Sequence, residues 1–318
     1  MNAAIAFVAA LLERLTGYPD ALTAAIRHPV VWMGVLIDRL EYRLNAPSRT
    51  PSARRAGGVL MLAILVAVVA GLSAIVVLLL RPLPHGWLIE AVLAVPFLAQ
   101  KQLGRAVAAV APGLGRSLAE GRNAVAHIVG RDPDRLDEAG VARAAIESLA
   151  ENTSDGVVAP LFYLLIFGLP GAAVYKAVNT ADSMVGHLNE RYREFGWASA
   201  RLDDIANFVP ARLTAVAFAL VAAWLPAFDG PGSWRAARRD AGRHSSPNAG
   251  WPEAAMAGAL GIVLGGPRSY QASVLELPDM GSGRRDLGAT DIRRALTLYG
   301  APLNGLLGVL AVLALAVR

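Results

Sequence analysis

The sequence predicts an all-α fold: a polytopic integral membrane bundle of helices, with polar and re-entrant candidates forming a site near the cytoplasmic face. Three observations carry this. Of 318 residues, 55% are hydrophobic and 17% charged, against about 25% charged in an ordinary soluble domain. Mean hydropathy is +0.44. Several long runs carry no charge, and nowhere do alternating strand patterns gather into a sheet.

A membrane helix needs roughly 20 predominantly apolar residues. Residues 59–80 and 298–317 meet this outright. Residues 157–175 are uncharged but hold Pro160 and the pair Pro170-Gly171, and 209–228 span if Arg212 snorkels. Three weaker apolar segments, 3–12, 87–100 and 254–265, are short enough to be interfacial, re-entrant or buried in protein. No repeat or long linker divides the chain, so it reads as a single integral-membrane domain over 1–318. The opening is not expected to be a signal peptide, since no basic residue precedes its apolar stretch.

Arg39, Arg43, Arg49, Arg54 and Arg55 precede the first span, and Lys101, Arg105, Arg116, Arg122, Arg131, Arg135 and Arg143 fill 101–150. The positive-inside rule places both segments in the cytoplasm, so a multi-pass protein of the cell (inner) membrane is expected. Residues 176–208 would then face outward, although they are rich in polar side chains. A hairpin turned at the Gly-Leu-Pro-Gly of 168–171, or polar helices sunk within the bundle, removes the conflict. The excess of Lys and Arg over acids, 30 against 25, is too mild and scattered for nucleic acid. It suits contact with membrane lipid instead. Absence of cysteine excludes disulfides, thiol catalysis and Cys-ligated metals.

Four polar constellations stand out. Glu147 and Glu151 lie at i,i+4 on a helical pattern over 136–150, followed by Asn152, Asp155 and a Gly156 free to turn the chain. Like charges at that spacing destabilise a helix, whereas carboxylates beside an amide oxygen suit Mg²⁺ completed by phosphate oxygens. Lys176, Asn179, Asp182, Ser183, Gly186, Asn189 and Glu190 fall on one helical stripe, which is either a functional site or a polar network joining helices. Asp203, Asp204 and Asn207 form a metal half-site, or salt-bridge partners of Arg201 and Arg212. Arg238, Arg239, Asp240, Arg243, His244, Ser245, Ser246 and Asn248 crowd one stretch. Guanidinium forks and hydroxyls suit a phosphate, and Ser246-Pro247 could open a helix whose N–H groups meet an anion. His28, alone before Pro29, reads as a satisfied structural histidine. No two histidines share zinc spacing, and the P-loop, serine-hydrolase and dinucleotide-binding signatures are absent.

These constellations lie in ESLAENTSDGVVAPLFY (147–163), VNTADSMVGH (178–187), LDDIANFVPARL (202–213) and RDAGRHSSPNAGWPEAAMAGALG (239–261). In that order they resemble the adenosylcobinamide-phosphate synthases, the membrane-bound CbiB/CobD family of cobalamin biosynthesis. The opening GYPD…HPVVWMG is similar too, with Tyr18-Pro19-Asp20 where the family has Asp-Pro. The resemblance implies amide ligation of adenosylcobyric acid, a corrinoid, with (R)-1-aminopropan-2-ol O-phosphate or ethanolamine phosphate. It also implies ATP as a substrate, although no nucleotide motif is recognisable. Condensing a carboxylate with an amine needs an activated oxygen, such as an acyl phosphate, with Mg²⁺ shielding charge. The expected catalytic residues are Glu147, Glu151, Asp182 and His244, with metal held by Glu151, Asn152, Asp155, Asp182, Asp203 and Asp204. Lys176, Asn179, Arg238, Arg239, Arg243, Ser245, Ser246 and Asn248 are the expected phosphate and substrate ligands. Trp32, Phe162, Tyr163, Trp197 and Trp251 could line a corrin-sized mouth, or simply mark membrane interfaces. A transporter of a phosphorylated or corrinoid metabolite and a non-catalytic AmpE-like regulator are the alternatives. The oligomeric state is not legible.

Overall fold

The computed structural model of the chain describes residues 1–19, 24–25, 27–129, 133–266, 268–270, 273–275 and 278–316. Asp20, Arg131 and the final residue of the last expected span lie outside the described residues. In chain order the helices are α1 (Asn2–Thr16), α2 (Pro29–Leu44), α3 (Pro51–Leu80), α4 (Gly86–Ala94), α5 (Gln100–Arg116), α6 (Leu118–Ala126), α7 (Glu138–Thr153), α8 (Ala159–Val185), α9 (Trp197–Ala206), α10 (Phe208–Trp224), α11 (Gly230–Asp240), α12 (Gly250–Leu260) and α13 (Ala289–Ala316). A π-turn, Ser154–Val158, connects α7 to α8. Among the described residues four short strands, β1 (Val263–Gly265), β2 (Arg268–Tyr270), β3 (Ser273–Leu275) and β4 (Asp279–Gly281), pair antiparallel as β1 with β4 and β2 with β3. The helical class holds, and these ladders qualify its all-α form. Three residues leave a period of two no room to show itself in sequence.

Helix starts follow local chemistry. His28 Nδ1 accepts from Val30 N–H and Thr50 Oγ1 from Ala53 N–H, with Pro29 and Pro51 beginning their helices. His28 is therefore the structural cap that its position before proline suggests.

Among the described residues three helical stretches are long and apolar enough to cross a membrane: Pro51–Leu80, Glu138–Val185 and Ala289–Ala316. The pair Trp197–Ala206 and Phe208–Trp224, bent by 44°, adds a fourth if it counts as one span. All four segments expected to span fall within these stretches, except that 225–228 lies beyond the end of α10. The 30 residues of α3 rise about 45 Å, ample for a hydrocarbon core of about 30 Å, and turn Leu60, Val68, Leu72 and Leu79 outward. The weak segment 254–265 is instead buried, as most of α12 followed by β1.

The chain packs as two compact units, Met1–Ala99 with Ala159–Asn207 and Val309–Arg318, and Gln100–Val158 with Phe208–Gly308. In the first unit, α8 is broken at Gly168 (φ 68°, ψ −159°). A Cβ on Gly171 would lie 2.4 Å from the carbonyl oxygen of Tyr163, whereas eight residues of unbroken helix rise about 12 Å. The Tyr163 and Tyr175 rings stack with centroids 5.2 Å apart. The helix therefore doubles back at the Gly-Leu-Pro-Gly. Buried Glu90 on α4 accepts the Leu169 N–H at 3.2 Å, meeting a donor that the break sets free.

Two sequence readings need correction. The polar stripe does not continue to Glu190: α8 ends at Val185, and Gly186 N–H closes on Asp182 O at 2.7 Å. A Cβ on Gly196 would fall 1.7 Å from Val185 O, so the chain leaves the helix and folds back on its end. Asn189 instead supports a turn by accepting from Tyr192 N–H. Likewise, the chain does not turn at Gly156; the helix carries on through the π-turn.

In the same unit α3 crosses the 186–196 segment at Gly58, where an added Cβ would lie 1.8 Å from the backbone oxygen of buried Phe195. Gly58→Ala is expected to lower the melting temperature in detergent, by an overpacking cost of about 1–3 kcal/mol. Gly71→Ala on the same helix, where a Cβ would meet nothing within 4 Å, should leave it unchanged or raise it slightly.

Candidate functional site

The first unit holds a chain of polar side chains between α8 and α9. Lys176 Nζ donates to Asn179 Oδ1 at 3.2 Å, and Asn179 Nδ2 donates to Asp203 Oδ1 at 3.3 Å. Asn207 Nδ2 reaches Asp203 Oδ2 at 2.9 Å, and Tyr175 O–H donates to Asn207 Oδ1 at 2.8 Å. Asp203 and Asn207 are buried. Their carboxylate and amide survive burial because each oxygen has a donor. The fold-back at Gly168 brings this about: it stacks Tyr163 on Tyr175 and lets Tyr163 O–H reach Ala206 O at 3.0 Å. Asp182 is partly exposed on α8, and Asp204 is paired with Arg201 at 3.6 Å. Lys176, Asn179 and Asp203 are thus joined in one network. Trp197 lies under Arg55, whose guanidinium carbon is 4.2 Å from the ring centroid.

The second unit gathers the other candidates. Buried Glu147 accepts the Gly265 N–H at 2.8 Å, tying α7 to the β1 strand end. Asn152 Nδ2 donates to the backbone oxygen and hydroxyl of Ser148. Glu151 and Asp155, both partly exposed, flank the π-turn. Ser154, between them in sequence, buries a hydroxyl with no hydrogen-bond partner among the described residues. Carboxylates, an amide and an unsatisfied hydroxyl are hard-oxygen donors of the kind Mg²⁺ takes alongside phosphate oxygens. Among the described residues no three His, Asp or Glu side chains stand together as a ready cage.

The arginine-rich stretch is organised around Asp240. Its fully buried carboxylate takes two bonds from Arg239, at 2.8 and 2.6 Å, one from Gly281 N–H at 2.9 Å, and an ion pair with Arg243 at 3.2 Å. Burial pushes this carboxyl up, but the Arg239 and Gly281 bonds and the Arg239 and Arg243 charges outweigh it. The carboxyl is held below its ordinary range. Arg238 and Ser245 stand exposed. His244 Nδ1 accepts from Ser246 N–H at 2.9 Å, and its Nε2 faces buried Glu253 at 3.7 Å. Ser246 Oγ accepts from the Asn248 and Ala249 N–H groups, both at 3.2 Å. The donors expected to meet an anion at the start of α12 are thus partly used within the loop.

Two participants escaped prediction as site residues. Arg212 fixes Asn248 Oδ1 at 2.7 Å, and Glu253 faces His244. Both lie inside the quoted motifs, but the 36-residue separation of Arg212 from Asn248 leaves no periodic signal.

Long apolar helices, together with hydrogen-bonded carboxylate, amide and guanidinium clusters, define a helical membrane protein. The family model described as CobD/Cbib protein matches residues 6–299, and the chain belongs to that family. A "Cobalamin biosynthesis protein CobD" from Rhodobacter capsulatus is 48% identical over 98% of this chain and 99% of its own length. Relatives of the same name from Brucella suis (48% identical, covering 95% and 94%) and Rhizobium meliloti (47%, covering 93% and 92%) are similar over nearly their whole lengths. No solved structure matches the chain.

Since the Asp240 carboxyl titrates below its unfolded value, it stabilises the fold at all pH above the ordinary aspartate range. That contribution is lost as pH falls through the lowered value, because only the unfolded state then binds the proton readily. Asp240→Ala should cost about 2 kcal/mol at pH 7, chiefly through the stranded Gly281 N–H and the unpaired arginines. The gap between the melting temperatures of variant and wild type should narrow as pH falls below the ordinary aspartate range.

Proposed function

We propose that this chain, a cobalamin biosynthesis protein of the CobD/Cbib family, is an adenosylcobinamide-phosphate synthase. The reaction forms an amide between a propionate carboxylate of adenosylcobyric acid and the amine of (R)-1-aminopropan-2-ol O-phosphate or ethanolamine phosphate. The observation that carries this reading is the family match over residues 6–299, joined to clusters that suit a phosphate and a carboxylate.

The amine arrives as an ammonium at neutral pH and must lose a proton before attack. Both ring nitrogens of His244 face protein groups, Ser246 N–H and Glu253. A half-buried carboxylate, Glu151 or Asp182, therefore suits the base better. The exposed Arg238 and Ser245 suit a phosphate. Glu151, Asn152 and Asp155 would hold Mg²⁺, which when bound shields the phosphate oxygens during acyl activation by ATP. The protein sits in the inner membrane as a multi-pass chain, with α8 entering as a re-entrant hairpin. A hairpin leaves on the side it entered, which keeps the charged 186–208 segment cytoplasmic and removes the parity conflict.

Protein in nanodiscs, given adenosylcobyric acid, aminopropanol phosphate, Mg²⁺ and ATP, is expected to yield a corrinoid heavier by the amide-linked aminopropanol phosphate on mass spectrometry. Omitting ATP should abolish it. Glu151→Gln should reduce turnover by about a hundredfold or more. Binding without product would favour the transporter or regulator.

A further inference from the structure

Arg212, on the first turns of α10, is partly buried in the second unit. Its Nη1 donates to Phe208 O at 2.9 Å and to Asn248 Oδ1 at 2.7 Å, and its Nη2 donates to Pro247 O at 3.2 Å. The guanidinium carbon lies 3.8 Å from the Phe208 ring centroid and 4.9 Å from that of Trp251. All of these partners are neutral. Among the described residues no carboxylate forms an ion pair with Arg212, whereas Arg239 and Arg243 are both paired with Asp240.

A guanidinium has five N–H donors, and three are engaged here. Among the described residues Nε–H and one Nη2–H meet no acceptor, and Nε and Nη2 share one edge of the guanidinium plane. That edge is the fork which takes two oxygens of a phosphate side by side. The aromatic faces and three oxygen acceptors fix the plane before any ligand arrives, so little side-chain freedom remains to be lost on binding. A desolvated cation with no counter-ion is costly by itself, and an anion on the open edge relieves that cost.

We propose that the Nε/Nη2 edge of Arg212 is the binding site for a phosphate group, with the 247–248 backbone and Asn248 holding the fork in place. Assigning that phosphate to the aminoalcohol substrate rests on the function proposed above. The arginine cluster recognisable in sequence is then largely a structural hub around Asp240, and the ligand's charge is met by an arginine that the sequence places in an apolar helix.

The test titrates (R)-1-aminopropan-2-ol O-phosphate into wild type, Arg212→Lys and Arg212→Gln by calorimetry, in phosphatidylcholine nanodiscs, with helicity and melting checked for each. Lysine keeps the charge but lacks the fork. Its Kd is expected to rise about tenfold, and that of the glutamine variant further. Wild-type affinity in a folded Arg212→Lys or Arg212→Gln overturns the proposal. A second arm adds phosphatidylglycerol and follows retained lipid by native mass spectrometry. Anionic lipid that excludes the probe from wild type and is lost from Arg212→Gln keeps the phosphate site and assigns it to a headgroup. Binding of neither probe nor lipid by wild type overturns it. Product formation with an unchanged KM for the phosphate substrate in Arg212→Lys removes this site and leaves the ligase standing. Phosphate binding at Arg212 without product does the reverse.

Discussion

A helix broken among apolar side chains must have its freed backbone groups met by the protein itself, because neither lipid nor a dry core supplies partners. At Gly168 the Glu90 carboxylate does this, accepting the Leu169 N–H, while Asn2 donates to Ile166 O on the other side of the break. With that satisfied, α8 can fold back and set Tyr175 beside Tyr163. Tyr175 then reaches Asn207, Asn207 orients Asp203, and Asp203 draws in Asn179 and Lys176. The polar network of the first unit is a downstream consequence of one capped break.

The second unit solves a different problem with the same rule. The exposed arginines of α11 and the turn after it would repel one another, but buried Asp240 gathers Arg239 and Arg243 and also takes the Gly281 N–H of β4. Charge is thereby converted into a joint between a helix end and a short hairpin. The loop after it is equally self-contained, with His244, Ser246 and Asn248 each engaged by neighbours. Such a loop is ordered before a ligand comes, and pre-organisation lowers what binding must overcome.

Much of this was legible in the sequence, and for identifiable reasons. The spans show because apolar composition over roughly 20 residues is a local property. The starts of α2 and α3 show because capping side chains sit within three positions of what they cap. The break at Gly168 shows because Gly is free to take a positive φ and Pro170 fixes its own φ and lacks a donor, both local properties. What stayed hidden depends on partners far apart along the chain. Helical spacing put Asn189 and Glu190 on the stripe of Lys176, but Gly196 folds against Val185 and ends the helix first. The pattern around 151–155 suggested a helix end, whereas the wide turn keeps the helix going. The arginines of 238–243 look alike in sequence, and only the fold shows that Asp240 occupies two of them while Arg212 pairs with no carboxylate among the described residues.

The π-turn at Ser154–Val158 has a consequence for how the chain tolerates change over generations. A π-turn houses one residue more than the α-turn it replaces. Losing a residue inside it would tighten the turn and leave α7 facing as before. Losing one within α7 ahead of Glu147 would rotate the stretch beyond it by about 100°, turning Glu147 away from the Gly265 N–H. This turn is therefore where the end of α7 can lose a residue with Glu147 kept on its contact.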